Sequence, residues 1–213
     1  KPTASTLLNL ATKLPWCMEM LGTPRRTFRN VVGHAEGVKN PQSLTDWTGQ
    51  AFDKSLNWDR VAELRRMWDG KVILKGILDV EDAKKAVNVG ADGIVVSNHG
   101  GRQLDGALSS IRSLEPIVEA VGDKTDVMLD SGIRSGQDIL KALALGAKGV
   151  MIGRAMVYGL GAMGQKGVTA ALTVLQKELD NTMALAGRTS IDAIDRSILR
   201  VPRGFAGDWD SQG

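Results

Sequence analysis

The sequence predicts an α/β fold built of parallel strand–helix units, and three observations carry that prediction. Four short segments, residues 72–76, 93–97, 127–130 and 149–153, are apolar and mostly rich in β-branched residues, as strands buried on both faces are. Stretches of about ten residues with apolar groups at helical spacing separate them. The connections leave no room for a tight hairpin, and a crossover of that length is what parallel pairing requires.

The first 55 residues stand apart from this rhythm. Leu7, Leu10, Ala11 and Leu14 recur at helical spacing, Thr6 occupies a capping position, and Pro15 is expected to end the segment. Trp16, Cys17, Met18, Met20 and Leu21 follow as an apolar patch beside Arg25 and Arg26. Apolar groups flanked by basic ones suit an anionic membrane surface; the structural alternative is a loop packed on its own barrel or on a neighbouring subunit. Gly33 to Ser43 is rich in turn formers, with a break at Asn40-Pro41-Gln42-Ser43.

Residues 56–200 carry the repeating units. Val61, Ala62, Leu64, Met67 and Trp68 line one face of a helix over 59–68, and Asp69-Gly70 turns the chain into the first strand. A helix over 79–89 and the turn Gly90-Ala91-Asp92-Gly93 lead to the second. A helix over 110–121 precedes the third strand, and one over 138–145 precedes the fourth. A long amphipathic helix over 165–187 then places Val168, Ala171, Leu172, Leu175, Leu179 and Met183 on one side. Ile191 to Leu199 adds a short element, and residues 201–213 read as a polar, frayed tail.

Four such units make half of a (β/α)8 barrel, a TIM barrel, which usually needs about 250 residues. The expectation is one piece of a longer or nicked protein, and a half barrel alone leaves strand edges unpaired.

Composition narrows the class. With 213 residues and 43% hydrophobic content, the chain can bury one sizeable core. It has neither an apolar run approaching the roughly 20 residues of a membrane span nor a basic-then-apolar signal segment at its start. A single cysteine, Cys17, excludes an internal disulfide framework and suits a reducing compartment. Two histidines and one cysteine are too few for a structural zinc site. The net charge is +3, but residues 1–40 hold a surplus of four positive charges, so the remainder is weakly acidic. Without a broad basic face, and with 4% aromatics, the chain is not a nucleic-acid binder.

The stretch Ser97-Asn98-His99-Gly100-Gly101-Arg102-Gln103-Leu104-Asp105-Gly106 follows directly on the second strand. Histidine can accept a proton near neutral pH, arginine can grip a carboxylate with two hydrogen bonds, and the glycines between them let the backbone approach a ligand. Read alone, it is also compatible with a turn that satisfies its own histidine. The other strand ends carry polar groups too: Lys75 on the first, Asp130, Gly132 and Arg134 on the third, Gly153 and Arg154 on the fourth. Barrel enzymes place their catalytic groups at this level. Asp130 to Gly136 opens a helix with Ser135 and Asp138 spaced as a capping box, and with Gly153-Arg154 it offers the backbone donors and guanidinium groups that bind phosphate.

These motifs resemble the signature of the FMN-dependent α-hydroxy-acid dehydrogenase and oxidase family. The resemblance covers roughly residues 45–200 and implies that the chain supplies strands five to eight of the barrel. Within the family, Gln103-Leu104-Asp105-Gly106-Ala107, the Asp53 to Trp58 run and the basic, apolar start are most similar to bacterial L-lactate dehydrogenases. The implied function is FMN-dependent oxidation of an L-2-hydroxy acid, L-lactate to pyruvate, with electrons passed to a quinone or other respiratory-chain acceptor.

The resemblance also implies roles. Lys75 lies at the pyrimidine edge of the flavin, Ser97 hydrogen-bonds it, Asp130 holds the ribityl chain, and Gly132, Arg134, Gly153 and Arg154 hold the phosphate. His99 is the base and Arg102 anchors the substrate carboxylate; His34 matches no motif and reads as surface. A cytoplasmic homotetramer, peripheral on the inner face of the bacterial inner membrane, is further implied. The family's partner aspartate for the histidine, its second substrate arginine and its substrate tyrosines belong to the upstream half. FMN is accordingly expected to bind this chain weakly or not at all without that half. The competing readings are a hydroxy-acid oxidase, a phosphate-binding barrel isomerase or aldolase with Lys75 as a Schiff base, and an inactive half barrel.

Overall fold

A computed structural model describes residues 3–22, 47–49 and 53–205. The chain divides into two compact units, residues 1–56 and 57–213.

Within the first unit, α1 (Ala4–Ala11) and α2 (Leu14–Gly22) are short helices. Thr3, not Thr6, caps α1: the Thr6 backbone N–H donates to Thr3 Oγ1 at 3.3 Å. Pro15 does not stop a helix but sits in the first turn of α2, where no intrahelical donor is needed and its fixed φ suits the start of a helix. The expected apolar patch therefore lies on α2, with Met18 and Leu21 more than 70% exposed. Arg25, Arg26, His34 and the Gly33–Ser43 stretch lie outside the described residues.

The second unit is a parallel sheet in the order β1 (Ile73–Ile77), β2 (Gly93–Val96), β3 (Asp126–Leu129), β4 (Gly149–Val150). Helices precede or link the strands: α3 (Trp58–Met67), α4 (Val80–Asn88), α5 (Ser110–Val121) and α6 (Gly136–Ala144). Side-chain caps set their starts, from Asn57 on α3, Asp79 on α4 and the capping box of Ser135 with Asp138 on α6. All four residues of β2 are buried, as its unbroken apolar run requires. Ile94, Val96, Leu114, Ile117, Val127 and Leu129 form the centre of the core between sheet and helices.

Two elements differ from expectation. The fourth strand pairs only over Gly149–Val150, because the backbone leaves extended geometry at Gly153 to enter the next helix. That helix, α7 (Arg154–Leu185), is bent at Met163 and Gly164, where Gly164 takes φ +57°. Its second arm is the expected long helix; its first arm, residues 154–162, was not anticipated. The arms fold together through glycines, since a Cβ on Gly159 would lie 2.5 Å from the Gly167 carbonyl oxygen.

Candidate functional site at the strand ends

Three neighbouring strands bring their polar groups to one cluster, in which Ser97 is buried, Asp130 half-buried and Lys75 exposed. Lys75, from β1, places Nζ 2.8 Å from Asp130 Oδ2 and donates to Ser97 Oγ at 3.0 Å. Ser97, just past β2, is 1% exposed and also accepts the His99 backbone N–H at 3.1 Å. Asp130, just past β3, accepts a 2.8 Å hydrogen bond from Ser131 Oγ. Neighbouring parallel strands in register bring these residues together although up to 55 positions separate them in sequence.

Gly76 makes this geometry possible. The pairing register slips there, with Lys75 opposite Val95 but Ile77 opposite Val96, and Gly76 takes φ +102°. A Cβ at Gly76 would sit 3.3 Å from His99 Cε1, so the imidazole lies over bare backbone at the end of β1.

A cavity of about 840 Å³ opens above the cluster, lined by Lys75, His99, Arg102, Asp130, Arg134 and Arg154, with Gly132 and Gly153 in its wall. Every residue singled out from the sequence therefore lines one cavity or, for Ser97, lies directly beneath it. Four cationic side chains face it against a single carboxylate. The guanidinium groups of Arg102 and Arg134 make no hydrogen bond among the described residues.

Helix ends refine the picture. At α6 the first N–H groups are taken: Arg134 and Ser135 donate to Asp138 Oδ2 at 3.0 Å, and Gly136 donates to Glu178 Oε2 at 2.9 Å. Gly153, which begins α7, supplies no side-chain cap. An anion at this wall thus meets the open N-terminus of α7 beside Arg134 and Arg154.

Burial is the largest influence on Asp130 and disfavours its charge, but hydrogen bonds from Lys75, Ser97 and Ser131 outweigh it and hold the carboxyl below the ordinary aspartate range. Because the folded value lies below the unfolded one, the stability from Asp130 is present above the unfolded carboxyl range and is lost as pH falls through the folded value. The melting-temperature gap between the wild type and Asp130→Asn is therefore expected to narrow as pH falls from about 7 to 3. A gap that stays constant over that range would show that the Lys75–Asp130 pair is not the source.

The sequence reading missed Gly76 and Ser131. Ser131 stands beside Asp130 in the motif, yet nothing local marks it as a residue at φ +72°. His99, at φ +56°, is the other non-glycine residue with positive φ among the described residues.

The donor set fits FMN: one cavity gathers cations and open backbone N–H groups suited to a phosphate, a lysine–aspartate pair, and a histidine with an arginine. Comparisons with known proteins agree. The family model described as FMN-dependent dehydrogenase matches residues 1–201. An L-lactate dehydrogenase of Caulobacter sp. (strain K31) is 51% identical over 187 residues, which is 86% of this chain and 48% of that protein. The monotopic membrane protein (S)-mandelate dehydrogenase superposes with a TM-score of 0.85 at 36% identity, covering 94% of this chain and 52% of the other. A mandelate oxidase variant solved with a monooxide FMN adduct gives 0.64 at 52% identity, over 66% of this chain and 45% of the other. The chain spans about half the length of the curated relatives it matches. A parallel sheet with its charged groups gathered at the strand ends, and a family match running from the first residue to position 201, place this chain in the FMN-dependent dehydrogenase family.

Proposed function

We propose that this chain carries the flavin-phosphate site and the catalytic base of an FMN-dependent L-2-hydroxy-acid dehydrogenase acting on L-lactate. The observation that carries the reading is the single cavity in which His99 and Arg102 face the Lys75–Asp130 pair. Similarity to curated L-lactate dehydrogenases supports the choice of substrate.

Gly132, Arg134, Gly153 and Arg154 would hold the phosphate of FMN, Asp130 the ribityl chain, and Lys75 with Ser97 the pyrimidine edge. When bound, FMN would supply the two-electron acceptor, and the proposed final acceptor is a quinone or other respiratory-chain carrier. Arg102 pairs with the substrate carboxylate and fixes the hydroxyl-bearing carbon over the cavity. His99 takes one proton from that carbon or its hydroxyl, and loss of two electrons and two protons in all converts the 2-hydroxy acid to the 2-oxo acid. Asp130, paired with Lys75 at 2.8 Å, fixes the direction in which the Lys75 side chain points into the cavity.

Residues 1–55 form the part we assign to a membrane surface, and the family's homotetramer is proposed for the assembled protein. Exposed Leu14, Trp16, Met18 and Leu21 on α2 support the first assignment, as does similarity to a monotopic membrane protein. Among the described residues, no helix is long and apolar enough to cross a membrane.

The test is an absorption spectrum of this chain assembled with the upstream half of the barrel and loaded with FMN, before and after anaerobic L-lactate; the chain by itself is expected to hold FMN weakly or not at all. Bleaching of a bound flavin supports the reading; a bound flavin that stays oxidised removes L-lactate as substrate. A second reading, an oxidase that reduces oxygen, is favoured by the 52% identity to mandelate oxidase. Stoichiometric hydrogen peroxide on admission of air would establish it.

A further inference from the structure

Two of the strand-end loops are tied to each other at one peptide. The Gly100 N–H, immediately after His99, is shared between Ser131 Oγ and Asn98 Oδ1, each at 3.0 Å. The Gly100 carbonyl accepts from Arg154 Nη2 at 3.1 Å. Ser131 Oγ in turn donates to Asp130 Oδ1 at 2.8 Å, and the Ser131 carbonyl accepts from Ser110 Oγ at 3.1 Å. The two non-glycine residues with positive φ among those described are Ser131, which accepts the Gly100 N–H bond, and His99, which immediately precedes its donor. Left-handed conformations are unfavourable for residues with a Cβ and persist where surrounding contacts over-determine them.

We infer that Ser131 is a positioning residue: its hydroxyl, through the Gly100 N–H, holds His99 in the left-handed conformation that sets the imidazole over Gly76 at the cavity mouth. This rests on the reading of His99 as the base. The hydroxyl spends its proton on Asp130 and its lone pair on Gly100, so it couples the Lys75–Asp130 pair to the loop of the base. Gly100 takes φ +69°, which glycine adopts without strain, and so its N–H reaches Ser131 at no cost in backbone energy. The bond that joins the two loops is not local, since 31 residues separate Gly100 from Ser131.

The test compares Ser131→Ala and Ser131→Gly with the wild type, in this chain for the NMR readouts and in the protein assembled with the upstream half for flavin reduction. Alanine removes the hydroxyl and keeps the backbone strain; glycine removes both. Amide hydrogen exchange at Gly100 and the His99 ring signals are read by NMR without cofactor. Both variants are expected to speed Gly100 exchange roughly five- to tenfold, the size of one net hydrogen bond, and to shift the His99 ring signals. Ser109→Ala, which removes a hydroxyl making no capping bond, is expected to leave both unchanged. With FMN bound, L-lactate should reduce the flavin of either Ser131 variant about tenfold more slowly, at FMN affinity within about threefold. Gly100 exchange within twofold of wild type in both variants overturns the inference, as does faster exchange with an unchanged reduction rate. Assembled wild-type protein whose bound flavin is not reduced by L-lactate refutes the proposed function instead, and the exchange and ring signals then decide the role of Ser131 alone.

Discussion

Flavin bound to the His99→Gln variant is expected to be reduced by L-lactate about 10²- to 10⁴-fold more slowly than in the wild type, the range over which a positioned base accelerates proton transfer. Glutamine keeps a polar side chain of similar reach but cannot accept a proton near neutral pH. The Lys75, Ser97 and Asp130 hydrogen bonds do not involve the imidazole, so flavin affinity is expected to change little. Stopped-flow bleaching gives the rate and titration of the flavin spectrum gives the affinity. A His99→Gln rate within tenfold of wild type would falsify the assignment of the base, whereas a large loss of affinity would make His99 a flavin contact first.

The second large effect concerns stability at the floor of the site. Gly136 starts α6 against the backbone of α7: a Cβ there would overlap the Leu179 nitrogen and the Glu178 carbonyl carbon, and would lie 2.7 Å from Glu178 Cβ. Backbone atoms cannot swing aside as a side-chain end can. Gly136→Ala is therefore expected to destabilise the chain by about 3 kcal/mol and to lower its melting temperature by roughly 6–12 °C. It would also break the bond from the Gly136 N–H to Glu178 Oε2, which packs the second arm of α7 onto α6. Gly161→Ala makes the contrast, because nothing lies within 4 Å of a Cβ there. A helical alanine in open space should be neutral or stabilise by up to about 1 kcal/mol. Equal melting temperatures for the two variants would show that α6 and α7 do not approach as closely as described.

Much of this arrangement is written locally. The run from Gly93 to Val96 is apolar without a break, and a strand buried on both faces follows from it. Ser135 and Asp138 are spaced as a capping box and form one. Asp130 follows β3 directly because the apolar run stops there, whereas Lys75 interrupts the apolar run within β1 and Arg154 opens α7; all three line the cavity. Where local reading failed, the cause is also local. Thr3 and Thr6 are both competent caps, and the chain uses the earlier one; proline can end a helix or begin one, and Pro15 begins one.

Periodicity and capping chemistry, which act over a few residues, are enough to mark the strands, the helices and the polar groups between them. The rest depends on contacts through space. Register between parallel strands joins Lys75 to Asp130, and the slip at Gly76 opens the place where His99 lies. A hydrogen bond spanning 31 residues holds two side-chain-bearing residues in left-handed conformations that their own sequence disfavours. The bend at Gly164 lets Gly159 and Gly167 meet backbone to backbone, which a helix drawn from periodicity alone does not do. Short-range spacing encodes which face of an element is buried, whereas strain and convergence arise only once distant elements pack and their hydrogen bonds close.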